Sequence, residues 1–90
     1  MRAVITVLGY DKVGIIAKVS AYLAENNINI LDISQTIMQK DIFTMIMLTD
    51  ISGSEVKFQK AVEDLANMGE DLGLEIRMQH EEIFNSMHEI

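Results

Sequence analysis

Residues 2–27 read RAVITVLGYDKVGIIAKVSAYLAENN, and two periodicities meet inside that stretch. Arg2–Leu8 is β-branched and apolar with hardly a polar residue, which suits a strand flanked on both sides rather than a sheet edge. It ends at Gly9, and the loop Gly9-Tyr10-Asp11-Lys12-Val13-Gly14 leads into a helix. Ile15, Ile16, Val19, Tyr22 and Leu23 then recur at helical spacing. Asn26-Asn27 stops that helix, because asparagine tolerates the left-handed conformation. A central strand feeding an amphipathic helix is the first half of a βαβ unit.

Outward from there, Ile28–Met38 sets Ile30, Asp32, Ser34 and Thr36 on one face and Leu31, Ile33 and Ile37 on the other, a half-solvated edge strand. Gln39-Lys40-Asp41 is a turn into a third strand, Ile42–Thr49. Ser52-Gly53-Ser54-Glu55 fits a capping box with Ser52 as N-cap. Phe58, Val62, Leu65 and Leu72 continue as the buried stripe of a second helix, closed by Gly69 and Gly73. Leu74, Ile76 and Met78 alternate with charged and polar residues as a fourth strand. Glu81–Ile90 is a short helical tail with Ile83, Met87 and Ile90 on one face and Phe84 beside it.

The order βαβ–βαβ, with right-handed crossovers and a hairpin between the middle strands, leaves few topologies. The expected fold is α+β: a ferredoxin-like βαββαβ sandwich, its four-stranded antiparallel sheet in order 2-3-1-4 with both helices on one face. Residues 1–80 form the domain and 81–90 the tail.

Ninety residues with 49% hydrophobic content make one domain that buries only ~60–65% of its unfolded surface. No cysteine is present, which removes disulfides, iron–sulfur clusters and thiol chemistry and leaves self-association as the expected staple, here a homodimer. The charge of −7 is lopsided: residues 1–45 hold four basic and four acidic groups, residues 46–90 three basic and ten acidic. Such a chain gains nothing from counterion release, so nucleic acid is not an expected partner. With no apolar run near ~18 residues and no leader pattern, the expectation is a cytoplasmic protein with no membrane contact.

At Asp11-Lys12-Val13-Gly14-Ile15, followed by the helix and then by Asn29-Ile30, the chain resembles the ACT domain, an amino-acid-sensing module of metabolic enzymes and regulators. The likeness covers residues 2–80, and the length and tail look like small stand-alone ACT proteins of bacteria and archaea. The pattern departs at Val13, where many relatives carry proline. The resemblance implies a non-catalytic regulatory domain that binds an amino acid or related metabolite at a dimer interface. Its candidate ligand-binding residues are Gly9, Tyr10, Asp11, Lys12, Val13, Gly14, Ile15 and, from the neighbouring subunit, Asn29.

Each of these also has a plain structural reading. Gly14, read as one turn into the helix, either leaves room for a ligand or allows close helix–strand packing. On the ligand reading a valine there abolishes the ligand response and leaves the fold intact, whereas on the packing reading it prevents folding. Asp11 is a natural N-cap, and Asn29 can bond its own backbone at the strand entry. His80 and His88 lie too far apart on a helix to chelate together. The six internal methionines read as adaptable core or a partner surface. Glu63, Asp64, Glu70 and Asp71 read as a solvated helix face. No catalytic constellation, cofactor motif or phosphate loop appears, and an acylphosphatase-like activity would need an arginine in a loop, whereas Arg2 falls on a strand. The expectation is a non-enzyme whose output passes through a partner enzyme or regulator. The competing expectation is an interaction protein with no ligand.

Overall fold

In the computed structural model, which describes residues 1–10, 13–38 and 42–88, the elements follow the order β1 (Arg2–Tyr10), α1 (Ile15–Glu25), β2 (Asn29–Met38), β3 (Ile42–Asp50), α2 (Phe58–Leu72), β4 (Glu75–His80) and α3 (Glu81–His88). The sheet runs β2-β3-β1-β4 with every pair antiparallel. β1 lies between β3 and β4, as its unbroken apolar composition demands.

Alternation along the strands sends Ala3, Ile5 and Val7, with Phe43, Met45, Met47, Ile76 and Met78, to one face. There they pack with Ile15, Val19 and Leu23 of α1 and Ala61 and Leu65 of α2. Thr49 is fully buried on this face and donates its hydroxyl hydrogen to the Ala3 carbonyl at 2.9 Å, so its polar atom is satisfied. Both helices therefore cover one side of the sheet. Three internal methionines, Met45, Met47 and Met78, are core.

Several local expectations are corrected. The capping box does not form: α2 starts at Phe58, with Lys57 at the N-cap and no side-chain cap. Residues 52–57 instead make a connection held by other bonds. The Ser52 amide donates to Asp50, the Ser52 hydroxyl accepts from the N-terminal ammonium, and the Glu55 amide donates to the Asn26 carbonyl. With Ser52 so engaged, the N-cap falls five residues beyond it, at Lys57. The two faces of β2 also differ from simple alternation, because a register shift between Ile30 and Asp32 leaves Leu31 as an extra residue. Ile30 and Ile33 oppose Thr49 and Met47, both of the helix-side face, while Asp32, Ser34 and Thr36 fall on the other. The turn at 39–41 lies outside the described residues.

α2 ends in a Schellman motif: Gly73 is left-handed (φ 73°), and the Leu74 and Gly73 amides donate to the Gly69 and Glu70 carbonyls. α3 follows β4 directly and packs over β1 and β4 on the open face of the sheet. Val4 points to that face yet is only 4% exposed, and the Gln79 amide donates to the Met87 sulfur. Arg2 binds Glu81 through Nε at 3.0 Å and through Nη2. Phe84, one turn on from Glu81, is half buried, whereas Ile83 and Met87 stay exposed. Ile83 and Met87 of the expected apolar stripe are thus largely uncovered, and the tail is tied to the sheet at Glu81 and at the Met87 sulfur. Glu89 and Ile90 lie outside the described residues.

Candidate functional site

The end of the sheet carrying Tyr10 receives the loop into α1. Gly14 is not a turn inside the helix; it is the N-cap residue itself, with φ 89° and ψ 1° and no side-chain cap bond. The cap expected at Asp11 is therefore replaced by a glycine whose carbonyl already accepts the Lys18 amide at 3.0 Å. A Cβ at Gly14 would meet nothing within 4 Å, so close packing does not explain the glycine. Its backbone conformation does, since a left-handed φ favours glycine. The ligand reading's expectation that valine leaves the fold intact fails for the same reason: a β-branched side chain is strained there whatever the space.

The other candidates separate by direction. Val13 is fully exposed, and Tyr10 is 65% exposed at the end of β1 on the open face. Ile15 is buried in the core, leaving only its backbone to the loop. Gly9 sits on the helix-side face, where a Cβ would collide with Leu74. Asp11 and Lys12 lie outside the described residues. The first-turn amides of α1 have no intrahelical acceptor, and they point toward this end of the molecule.

Asn29 is not brought to this loop within one chain. It opposes Asp50, which opposes Arg2, whereas Tyr10 opposes Ile42, which opposes Met38. The two positions are separated by the length of the sheet, about 27 Å at ~3.4 Å per residue. Beside Asn29 a groove of about 350 Å³ runs between α1 and the start of β2, lined by Ser20, Leu23, Ala24, Asn27, Ile28, Asn29 and Ile30. Ser20 and Ala24 were not singled out from sequence, and Asn27 was read only as part of the helix stop. Their signal is a second stripe at spacings of four and three beside the buried one.

α1 is tied to α2 by a small polar cluster. The Tyr22 hydroxyl donates to Asp64 at 2.6 Å, and Lys60 donates to the other Asp64 oxygen at 2.7 Å. Asp64 is therefore a clamp between helices, which corrects its reading as a solvated residue. Lys60 first, then Tyr22, holds the Asp64 carboxyl below its usual range. Burial, then the bond to Asp64, pushes the Tyr22 phenol well above its ordinary value. His80 stacks on Phe58 with ring centroids 3.9 Å apart, a packing role. Among the described residues no group of three His, Asp or Glu side chains is placed to hold a metal ion, and no helix is long and apolar enough to cross a membrane.

The family model for the ACT domain matches residues 2–79. The chain belongs to the ACT domain family. It is 61% identical over 90 residues, the full length of both chains, to a UPF0237 protein of Clostridium acetobutylicum. Among solved structures it is similar to an ACT domain protein from Streptococcus pneumoniae, at 39% identity and TM-score 0.80 over 93% of each chain. It is also similar to part of a formyltetrahydrofolate deformylase from Pseudomonas syringae, at 25% identity and TM-score 0.79. That match covers 88% of this chain and 27% of the enzyme. ACT domains are regulatory domains, and in the deformylase the fold occupies a minor share of a larger chain.

Proposed function

We propose that this ACT domain is a non-catalytic regulator that binds an amino acid or related metabolite between two copies of the chain. The observation that carries the reading is the β2 edge. Among the described residues β2 pairs only with β3, its other edge has no partner strand, and its residues 31–36 are all exposed, Leu31 and Ile33 among them. An unpaired edge with exposed apolar residues is a template for another strand. If two β2 edges pair antiparallel about a two-fold axis, the Asn29 end of one chain lies beside the Met38 end of the other. Met38 is level with Tyr10, so the partner's groove then faces the Gly14 loop. The separation of Asn29 from the loop within one chain is what such a shared site requires.

In that arrangement the first-turn amides of α1 meet the ligand carboxylate and the empty space at Gly14 admits it. Asp11 favours the ammonium. The absence of a catalytic constellation in the sequence and membership of a regulatory family support a role without chemistry.

The test is thermal unfolding against each of the twenty amino acids. A ligand at 100 times its Kd adds ~2.7 kcal/mol, and each kcal/mol moves a domain of this size by ~4–8 °C. A shift with one or a few amino acids, lost in Gly14→Asn, is the expected result. No shift with any of them would leave the second reading, an interaction module without ligand. That reading is favoured by Tyr10 and Val13, whose exposed side chains at the loop end suit a protein surface.

A further inference from the structure

α1 and α2 lie side by side over one face of the sheet, and the seam between them is open at the end nearer the candidate loop. There a groove of about 360 Å³ is lined by Lys18, Asp64, Asn67, Met68, Asp71 and Leu72. Met68 and Leu72 are half buried against the core and form its apolar floor, whereas Lys18, Asn67 and Asp71 are exposed at its rim. Asp64 is taken up by Tyr22 and Lys60. Among the described residues no ion pair engages Lys18 or Asp71. On the α1 side the exposed Ala17 and Ala21 make a low wall. The groove borders both ends of the loop. The Lys18 amide donates to the Gly14 carbonyl, and Leu72 precedes Gly73, whose carbonyl oxygen would lie 3.5 Å from a Cβ on Gly9.

We propose that this groove receives a basic amphipathic helix of a partner protein, its apolar stripe on Met68 and Leu72 and its lysines or arginines along α2. Charge selects that occupant. α2 carries four acidic residues, Glu63, Asp64, Glu70 and Asp71, against Lys60 alone, so three of the chain's seven net negative charges fall on this one helix. The same sign turns away nucleic acid and acidic lipid surfaces. The shape selects a helix, because the seam between two packed helices is a straight groove into which the ridge of a third settles. The helix layer lies across the sheet from α3, and α2 packs on β4, at the far side of the sheet from the β2 edge. An assembly through β2 edges therefore leaves the groove open, and docking here does not depend on the proposed ligand site.

The probe is a synthetic leucine–lysine peptide of roughly 18 residues, long enough to hold a helix. It is titrated into the full-length, isotope-labelled chain and followed by NMR, with a leucine–glutamate peptide of the same pattern as control. The lysine peptide should shift the amides of Lys18, Tyr22, Asn67, Met68 and Asp71 most, and the glutamate peptide should shift none. Asp71→Lys should weaken binding roughly ten-fold, because it sets like charges together at the contact. Glu82→Lys, the same charge change on α3, should weaken it by no more than about two-fold. Lys18→Glu should tighten it. Equal losses for Asp71→Lys and Glu82→Lys would mean attraction to net charge alone and overturn the proposal. Shifts centred on Leu8, Tyr10 and Ile46 would put the apolar contact on the open sheet face and overturn it too, as would an unchanged spectrum at millimolar peptide. None of these outcomes bears on thermal shifts with amino acids, so the ligand reading stands or falls separately.

Discussion

Two glycine-bearing junctions of this domain look alike in sequence and are opposite in physics. Where α2 turns into β4, Gly9, Gly69 and Gly73 converge on Leu74. A Cβ on Gly69 would lie 2.8 Å from the Leu74 carbonyl oxygen and 3.2 Å from the Ile76 nitrogen. Where β1 turns into α1, a Cβ on Gly14 would meet nothing within 4 Å, and only its φ of 89° demands glycine. The first junction is closed by contact with backbone. The second is open and held by conformation alone. The difference can be broken by mutation.

The largest effect falls at the closed junction. Gly69→Val forces a branched side chain against two backbone atoms that cannot rotate away, an overpacking cost of about 3 kcal/mol or more. The expected outcome is a fall in Tm of at least ~12 °C or loss of folding, read by calorimetry. At the open junction the cost is conformational. Gly14→Ala should lose ~1–2 kcal/mol, the usual penalty for a side chain in left-handed backbone. Gly14→Asn should lose less, since asparagine enters that region more readily. Equal losses for alanine and asparagine at Gly14 would show that its φ is not what matters there, and the contrast with Gly69 would collapse.

The closed junction was legible in the sequence and the open one only in part. Gly73 after Leu72, ahead of an alternating strand, reads directly as a helix stop, and the Schellman bonds bear it out. The strand order followed from the βαβ–βαβ order with right-handed crossovers and a middle hairpin, and the apolar composition of residues 2–8 agreed with a first strand inside the sheet. Gly14 was misplaced by a turn, since periodicity locates the apolar stripe but not the residue at which helical φ begins. The capping box at Ser52 misled because a sequence motif cannot show that the N-terminal ammonium will occupy the same hydroxyl. Asp64 was hidden differently. One of four acidic residues on a polar stripe, it becomes a clamp only through Tyr22, 42 positions away in the chain. At the candidate site, the residue types of the loop were readable. That Asn29 lies at the far end of the sheet follows from the crossover, since β2 runs parallel to β1 and starts at the Arg2 end, whereas the bulge that resets the faces of β2 has no local signal.

A smaller effect sharpens the same contrast at the tail, whose attachment is polar and exposed. The Arg2 guanidinium holds the Glu81 carboxyl below its ordinary 4.5. A depressed carboxyl contributes stability that is complete above that ordinary value and is lost as pH falls through the lower folded one. Protection of the α3 amides against hydrogen exchange, corrected for intrinsic rates, should therefore drop below about pH 4 while the α2 amides keep theirs. Arg2→Ala should lower α3 protection roughly two- to five-fold at neutral pH and flatten that acid dependence. An acid loss of the same size in the variant would mean that the packing of Phe84, rather than the ion pair, holds the tail.

The smallest expected effect is at the clamp between the helices. Tyr22→Phe removes the hydroxyl that donates to Asp64 but keeps the ring, and Lys60 still binds the carboxylate. The Tm should fall by only roughly 1–3 °C at neutral pH, as for other solvent-screened polar pairs. The pH profile is more telling than the Tm. Because the Tyr22 phenol is raised above its ordinary 10.0, its contribution is complete below pH 10 and is lost as pH climbs toward the folded value, where the unfolded chain ionises first. Lys60, also raised above its ordinary 10.5 by Asp64, adds a loss of the same sign. Tyr22→Phe should therefore remove part of the alkaline decline and leave the Lys60 part in place, whereas Lys60→Met should remove the other part. If Tyr22→Phe leaves the alkaline limb unchanged, the hydroxyl is not held by Asp64 in solution. The C-terminal half of α1 would then be fixed by its apolar stripe and by the Glu55 amide on the Asn26 carbonyl, without help from α2's polar face.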